Sequence, residues 1–151
     1  MRCGREIDEG RGTKEERFES AGLDSTERAK ISSVRELKVY RLGFDTAMEI
    51  FDVSKSFPLE EKYSLTDQIR RSSRSVCSNL AEAWRKRKYP AVFINKLTDA
   101  GQEAAETQTW LEFALKCRYI NQGTFDLLDE KYEHIFAMLI TMERKAESFF
   151  R

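Results

Sequence analysis

Apolar residues recur at spacings of three and four in four successive stretches of the chain, and a turn-forming segment closes each of the first three. From about Glu36 to Ser54, Leu37, Tyr40, Phe44, Ala47, Met48 and Phe51 form the first stripe. Ser56-Phe57-Pro58 ends it, because proline disfavours helix at the residue before it. Pro58-Leu59-Glu60-Glu61 suits a helical first turn, with proline tolerated at the first position and acids near the free N–H groups. A second helix is predicted from about Ser64 to Arg87, with Ser64 and Asp67 at capping-box spacing and Asp in place of the usual Glu. Tyr89-Pro90 breaks it. The third runs to about Cys117 on Phe93, Leu97, Ala100, Ala104, Leu111 and Leu115. Gly101 sits inside it at a cost of about 1 kcal/mol against alanine, which leaves two accounts: a close helix–helix approach, or drift. Asn121-Gln122-Gly123 is the last turn, and the fourth helix covers about Thr124–Phe149 on Phe125, Leu128, Tyr132, Ile135, Phe136, Leu139, Met142 and Ala146. Long helices with short connections predict an all-α, antiparallel up-down-up-down four-helix bundle.

The bundle domain is expected over residues 35–151. Residues 1–34 are charged, contain four of the glycines and offer only Ile7, Phe18, Leu23 and Ile31 as large apolar anchors. They read as a mobile tail with a short helix near Ser25–Lys30. A functional tail and a dispensable extension both fit.

The second helix carries two different faces. Leu65, Ile69, Val76, Leu80, Ala83 and, at its edge, Trp84 are apolar. Beside them Gln68, Arg71, Ser75, Asn79 and Glu82 fall within about 80° of one another at about 100° per residue. A solvated face is usually broad and mixed. This stripe is narrow and mostly uncharged, which points either to a specific contact or to a device fixing helix register and assembly. On the third helix Asp99, Glu103, Glu106 and Trp110 form a second side stripe within about 60°. Its acids match Arg70, Arg71 or Arg74 for bidentate pairing, within a subunit or across an interface. Trp110 beside Glu103 and Glu106 is a suitable interface anchor; a solvated acidic face with a half-buried Trp is the plainer account. Arg85, Lys86, Arg87 and Lys88 close the second helix between Trp84 and Tyr89. Complementing the helix dipole explains them. So does phosphate contact with an aromatic available for stacking, joined by Arg70 and Arg74.

Composition narrows the function classes. With 151 residues, 40% hydrophobic and only two prolines, the chain holds one helical domain with a real core. Zero formal net charge argues against a general electrostatic coat for DNA, though local charge still sets local fields. Cys3, Cys77 and Cys117 form no CxxC pair and His134 is the one histidine, so no metal or cofactor is expected and paired Glu-x-x-His di-iron chemistry fails. Cys77 and Cys117 fall in helical patterns, where a buried inert thiol in a reducing cytoplasm is the expectation. There is no apolar run near 18 residues and no signal-peptide pattern, so neither a membrane span nor export is expected. There is no Gly-rich phosphate loop, HExxH or G-x-S-x-G, and the reading is non-enzymatic.

The run FPLEEKYSLTDQIRRSSRSVCSNLAEAWRKRKY, followed by KLTDAGQEAAETQTWLEFALKCRYI, resembles the small four-helix bundle proteins encoded by intervening sequences within bacterial 23S ribosomal RNA genes. Phe57-Pro58, Glu61, Leu65, Gln68, Arg71, Ser75, Asn79, Ala81-Glu82 and Glu106 stand at the family spacing, over about Glu36 to Phe149. Ala83 replaces a glycine many members carry, and Gly101-Gln102 stands where many read Gly-Ser. The resemblance implies a ring, typically a homopentamer. A related branch, the accessory variability proteins of diversity-generating retroelements, is a basic pentameric barrel that binds nucleic acid and a reverse transcriptase. RNA, DNA or a protein are the partners this implies. Most members have no established role, and no activity is attached to the matching residues.

Overall fold

The computed structural model describes residues 31–149. Its main elements are α1 (Lys38–Ser54), α2 (Leu65–Arg85), α3 (Pro90–Lys116) and α4 (Gln122–Arg144), with single 3-10 turns at Val34–Glu36, Leu59–Glu61 and Ala146–Phe149. The tail reading of residues 1–30, with its helix near Ser25–Lys30, lies outside the described residues. Ile31 and Val34 pack against the core.

Each helix packs against two others: α2 on α1 and α3, α3 on α4, and α4 back on α1. Side-chain links run in opposite order along consecutive helices. Arg71 reaches Glu106 while Glu82 reaches Lys96; Arg70 reaches Ser54 while Cys77 reaches the Tyr40 carbonyl; Gln108 reaches Asp129 while Thr98 reaches Glu143. Consecutive helices therefore point in opposite directions. Ile50, Ile69, Leu80, Phe93, Leu97, Leu111, Leu128, Tyr132 and Ile135 fill the centre, each contributing about 1.5–3 kcal/mol by leaving water.

The first helix turns a different face inward than its large apolar residues predict. Phe44 is 50% and Met48 47% exposed. The buried face of α1 is Val39, Gly43, Thr46, Ala47, Ile50 and Ser54, about 100° around the helix from the predicted stripe. Small residues decide this, because they let α1 lie close to α2. A Cβ on Gly43 would meet Cys77 Sγ at 3.4 Å and Val76 Cγ1 at 3.5 Å. Thr46 and Ser54 enter the core because their hydroxyls donate to the carbonyls of Leu42 at 2.6 Å and Phe51 at 3.0 Å, so neither hydroxyl is left unpaired. Gly101 is not such a contact: a Cβ there would lie 3.8 Å from Leu139 Cδ1, an ordinary distance.

The start of α2 is capped by a residue outside the expected capping box. Ser64 makes no cap bond with its side chain. Glu61 Oε2 instead accepts the Ser64 hydroxyl and, at 3.1 Å, the Leu65 N–H. Its other oxygen accepts the Tyr119 hydroxyl at 3.1 Å. The Ser64 and Leu65 bonds hold the Glu61 carboxyl below its usual range. One carboxylate thus ties the α1–α2 connection to the far end of α3. That end closes on Arg118, at φ 63°. The Tyr119 N–H reaches the Ala114 carbonyl at 2.9 Å and the Arg118 N–H that of Leu115 at 3.0 Å, a Schellman closure that normally uses glycine.

Candidate nucleic-acid interface and the polar seam

The narrow stripe of α2 faces the acidic stripe of α3 within one subunit. Arg71 Nη2 donates to Glu106 Oε1 at 2.6 Å, and Nη1 lies 3.6 Å from Glu103 Oε1. Trp110 Nε1 donates to the same Glu106 oxygen at 3.2 Å. Its ring centroid is 5.9 Å from that of Phe113. Further along, Lys96 Nζ lies 2.6 Å from Glu82 and 3.7 Å from Asp99. Beneath the seam the buried hydroxyls of Ser72 and Thr107 meet at 2.8 Å. Gln68, Ser75 and Asn79 are half-buried along it, and the Asn79 amide turns back to the Ser75 carbonyl at 2.9 Å. Arg71 and Glu82 cross to α3; Asn79 does not. Lys96, the partner of Glu82, was not singled out in the sequence. Its i,i+3 spacing to Asp99 was the available signal.

The two seam carboxylates titrate in opposite directions. Burial raises Glu103 above its ordinary value, and Arg71 at 3.6 Å does not offset it. Glu103 Oε2 is buried and meets no hydrogen-bond donor. For Glu106 burial acts upward too, but the bonds from Arg71 and Trp110 outweigh it and hold the carboxyl low. The same Glu106 bond raises the Arg71 guanidinium.

The basic residues lie elsewhere on α2. Arg70 and Arg74 do not join the acids of α3. Both sit over the Phe51 ring, at 4.8 and 5.8 Å, and Arg70 Nε donates to Ser54 Oγ at 2.7 Å. Helix α2 ends at Arg85, so Lys86, Arg87 and Lys88 occupy the turn into α3. Arg87 lies 4.2 Å over the Trp84 ring and donates to the Trp84 carbonyl at 2.8 Å. Arg85, Lys86 and Lys88 are exposed, and Lys88 Nζ stands 5.0 Å over Tyr89. Among the described residues the ion pairs use Lys55, Arg71, Lys96, Lys131 and His134. None uses the cations of 85–88, nor Arg70 or Arg74.

This helical bundle can be set beside known proteins. A model described as 23S rRNA-intervening sequence protein matches residues 35–141. The chain belongs to that family. A 1.70 Å crystal structure of a protein of unknown function from the S23 ribosomal protein family of Bacteroides thetaiotaomicron is similar to it. That protein is 31% identical, covers 70% of this chain and 95% of its own, and superposes with a TM-score of 0.64. No curated protein matches. The family match covers the whole seam and both sets of basic residues. Among the described residues no helix is long and apolar enough to cross a membrane, and no group of three or more His, Cys, Asp or Glu is placed to hold a metal ion.

Proposed function

We propose that this family member is a non-enzymatic, homo-oligomeric accessory protein that binds nucleic acid or a ribonucleoprotein. The observation that carries this is the exposed basic end of α2: Arg85, Lys86 and Lys88 have no carboxylate partner among the described residues. Unpaired cations are free to displace counterions from phosphates, whereas paired ones are already neutralised. In a ring this end would repeat around one rim, so a neutral chain would still present a basic edge. Binding of RNA and duplex DNA is measured at several salt concentrations. Affinity should fall steeply with salt, and Arg85→Glu, Lys86→Glu and Lys88→Glu together should abolish most of it. No binding at low salt refutes the reading.

A second reading, a protein-interaction scaffold, rests on the aromatic edge of α1. Tyr40 and Phe44 stack with ring centroids 6.2 Å apart, and Phe44 and Met48 are about half exposed. Aromatic and Met side chains are enriched in interfaces. Phe44→Glu should lower the mass seen by light scattering if this edge joins subunits; an unchanged mass rejects that.

A further inference from the structure

The first half of α2 carries a second cationic site, separate from the basic end. A cleft of about 610 Å³ opens there, with Lys62, Tyr63, Arg70 and Arg74 in its lining. Lys62, Arg70 and Arg74 have no carboxylate partner among the described residues. Arg71 also lines it, but its charge is held by Glu106 and Glu103. One carboxylate, Asp67, opposes the three open cations.

The cleft has the components a phosphodiester strand uses. Two guanidinium groups are held in place by the Phe51 face, and Arg70 is fixed further by Ser54. Fixing Arg70 through Nε leaves its other N–H donors for an anion. Ser75 and Ser78 add hydroxyls to the wall. Tyr63 is 85% exposed at the mouth, where an exposed aromatic ring is a platform for an unpaired base. On the helical wheel Arg70, Arg74, Ser78 and Arg85 lie within about 80°, so the cleft and the basic end share one face of α2, with Arg70 and Arg85 about 22 Å apart along it.

We propose that this cleft binds single-stranded nucleic acid, with phosphates at Lys62, Arg70 and Arg74 and a base stacked on Tyr63. The proposal rests on the nucleic-acid reading above but moves the first contact from the basic end to the cleft.

The test titrates the full chain with a fluorescein-labelled ten-residue oligouridylate and with a ten-base-pair RNA duplex, by anisotropy. Lys62→Ala and Arg74→Ala should each weaken strand binding several-fold and lower the salt slope by about 0.7, the value for one phosphate contact on a single strand. Tyr63→Ala should weaken it about tenfold with the salt slope unchanged, and should leave duplex binding unaffected. Asp67→Asn should tighten it. These residues are exposed or carry no core packing, and thermal melts matching the parent confirm folding. Parent-like affinity in all the cleft variants, with loss only in the triple variant of Arg85, Lys86 and Lys88, overturns the cleft and leaves the basic end standing. Equal loss of strand and duplex binding in Tyr63→Ala overturns the stacking role. No binding of either probe by the parent overturns both.

Discussion

Replacing Arg71 with methionine keeps most of its volume and removes the charge joining α2 to α3. A single exposed pair contributes about 0–1 kcal/mol, and the Arg71 side chain is 47% exposed. Two features raise the cost: the short charge-assisted bond to Glu106, and the like-charged Glu103 and Glu106 left side by side. The expected loss is about 1–2 kcal/mol. A domain of this size shifts by about 4 °C per kcal/mol, so the melting temperature should drop about 4–8 °C at pH 7. The pH dependence follows from the carboxylates. Glu106 has a folded pKa below its unfolded value, so its stabilisation is present above about pH 4.3 and is lost as pH falls through the folded value. The gap between parent and variant should therefore be widest at neutral pH and narrow below about pH 4. Melts followed by circular dichroism across pH 3–8 measure it. A variant melting within 1 °C of the parent at pH 7, or a gap constant with pH, refutes the seam as the source of stability.

Glu103 has the opposite sign. Burial lifts its pKa above the unfolded value, so the parent loses stability as pH rises from the unfolded pKa through the folded one. Glu103→Gln should gain on the parent in thermal melts as pH rises above about 4.3, the unfolded value, and a flat difference counts against the buried oxygen. Gly101→Ala should raise stability by about 0.5–1 kcal/mol, since the added Cβ makes only an ordinary contact with Leu139; a loss in urea titration would mean the helices cannot accept it. Arg118→Gly should stabilise by a similar amount by relieving the left-handed backbone at φ 63°, read in the same titration. Burial pushes the Cys77 thiol up to about 11, while Cys117 is exposed. At pH 8 an alkylating reagent should modify Cys117 in the native protein and Cys77 only on unfolding, as peptide mass spectrometry would show; rapid native labelling of Cys77 refutes its burial.

Much of the fold was legible because three helices obey one rule: large apolar residues at helical spacing face the core. Helices α2, α3 and α4 do so, and the breakers Pro58, Pro90 and Asn121 stand where the chain turns. Helix α1 breaks the rule because packing distance, set by Gly43, Thr46 and Ala47, outweighs residue size. Small residues at three- and four-residue spacing were the available signal, but hydropathy scores Thr and Ser as surface. The caps were partly hidden for a related reason. Glu61 caps α2 from outside the motif, and Arg118 takes a conformation that composition assigns to glycine. The Arg71–Glu106 pairing was readable as a match of two stripes, but its location inside one subunit needed the helices to be placed.

The placement of α1 also governs which arginines of α2 are available for anything else. Arg70, Arg71 and Arg74 are near neighbours in sequence and chemically identical. Helix α3 offers carboxylates to Arg71, which is neutralised in the seam. Helix α1 offers Arg70 and Arg74 an aromatic face and a hydroxyl. Those partners orient a guanidinium without neutralising it. A turn of α1 that exposes Phe44 and Met48 leaves Phe51 half-buried, at the edge of α2. Had the large apolar stripe of α1 faced the centre, Phe51 would have been drawn into the core and the two arginines would have lost that support. The packing of Gly43 on Val76 and Cys77 is thus what keeps two cations of α2 oriented and without a carboxylate partner among the described residues.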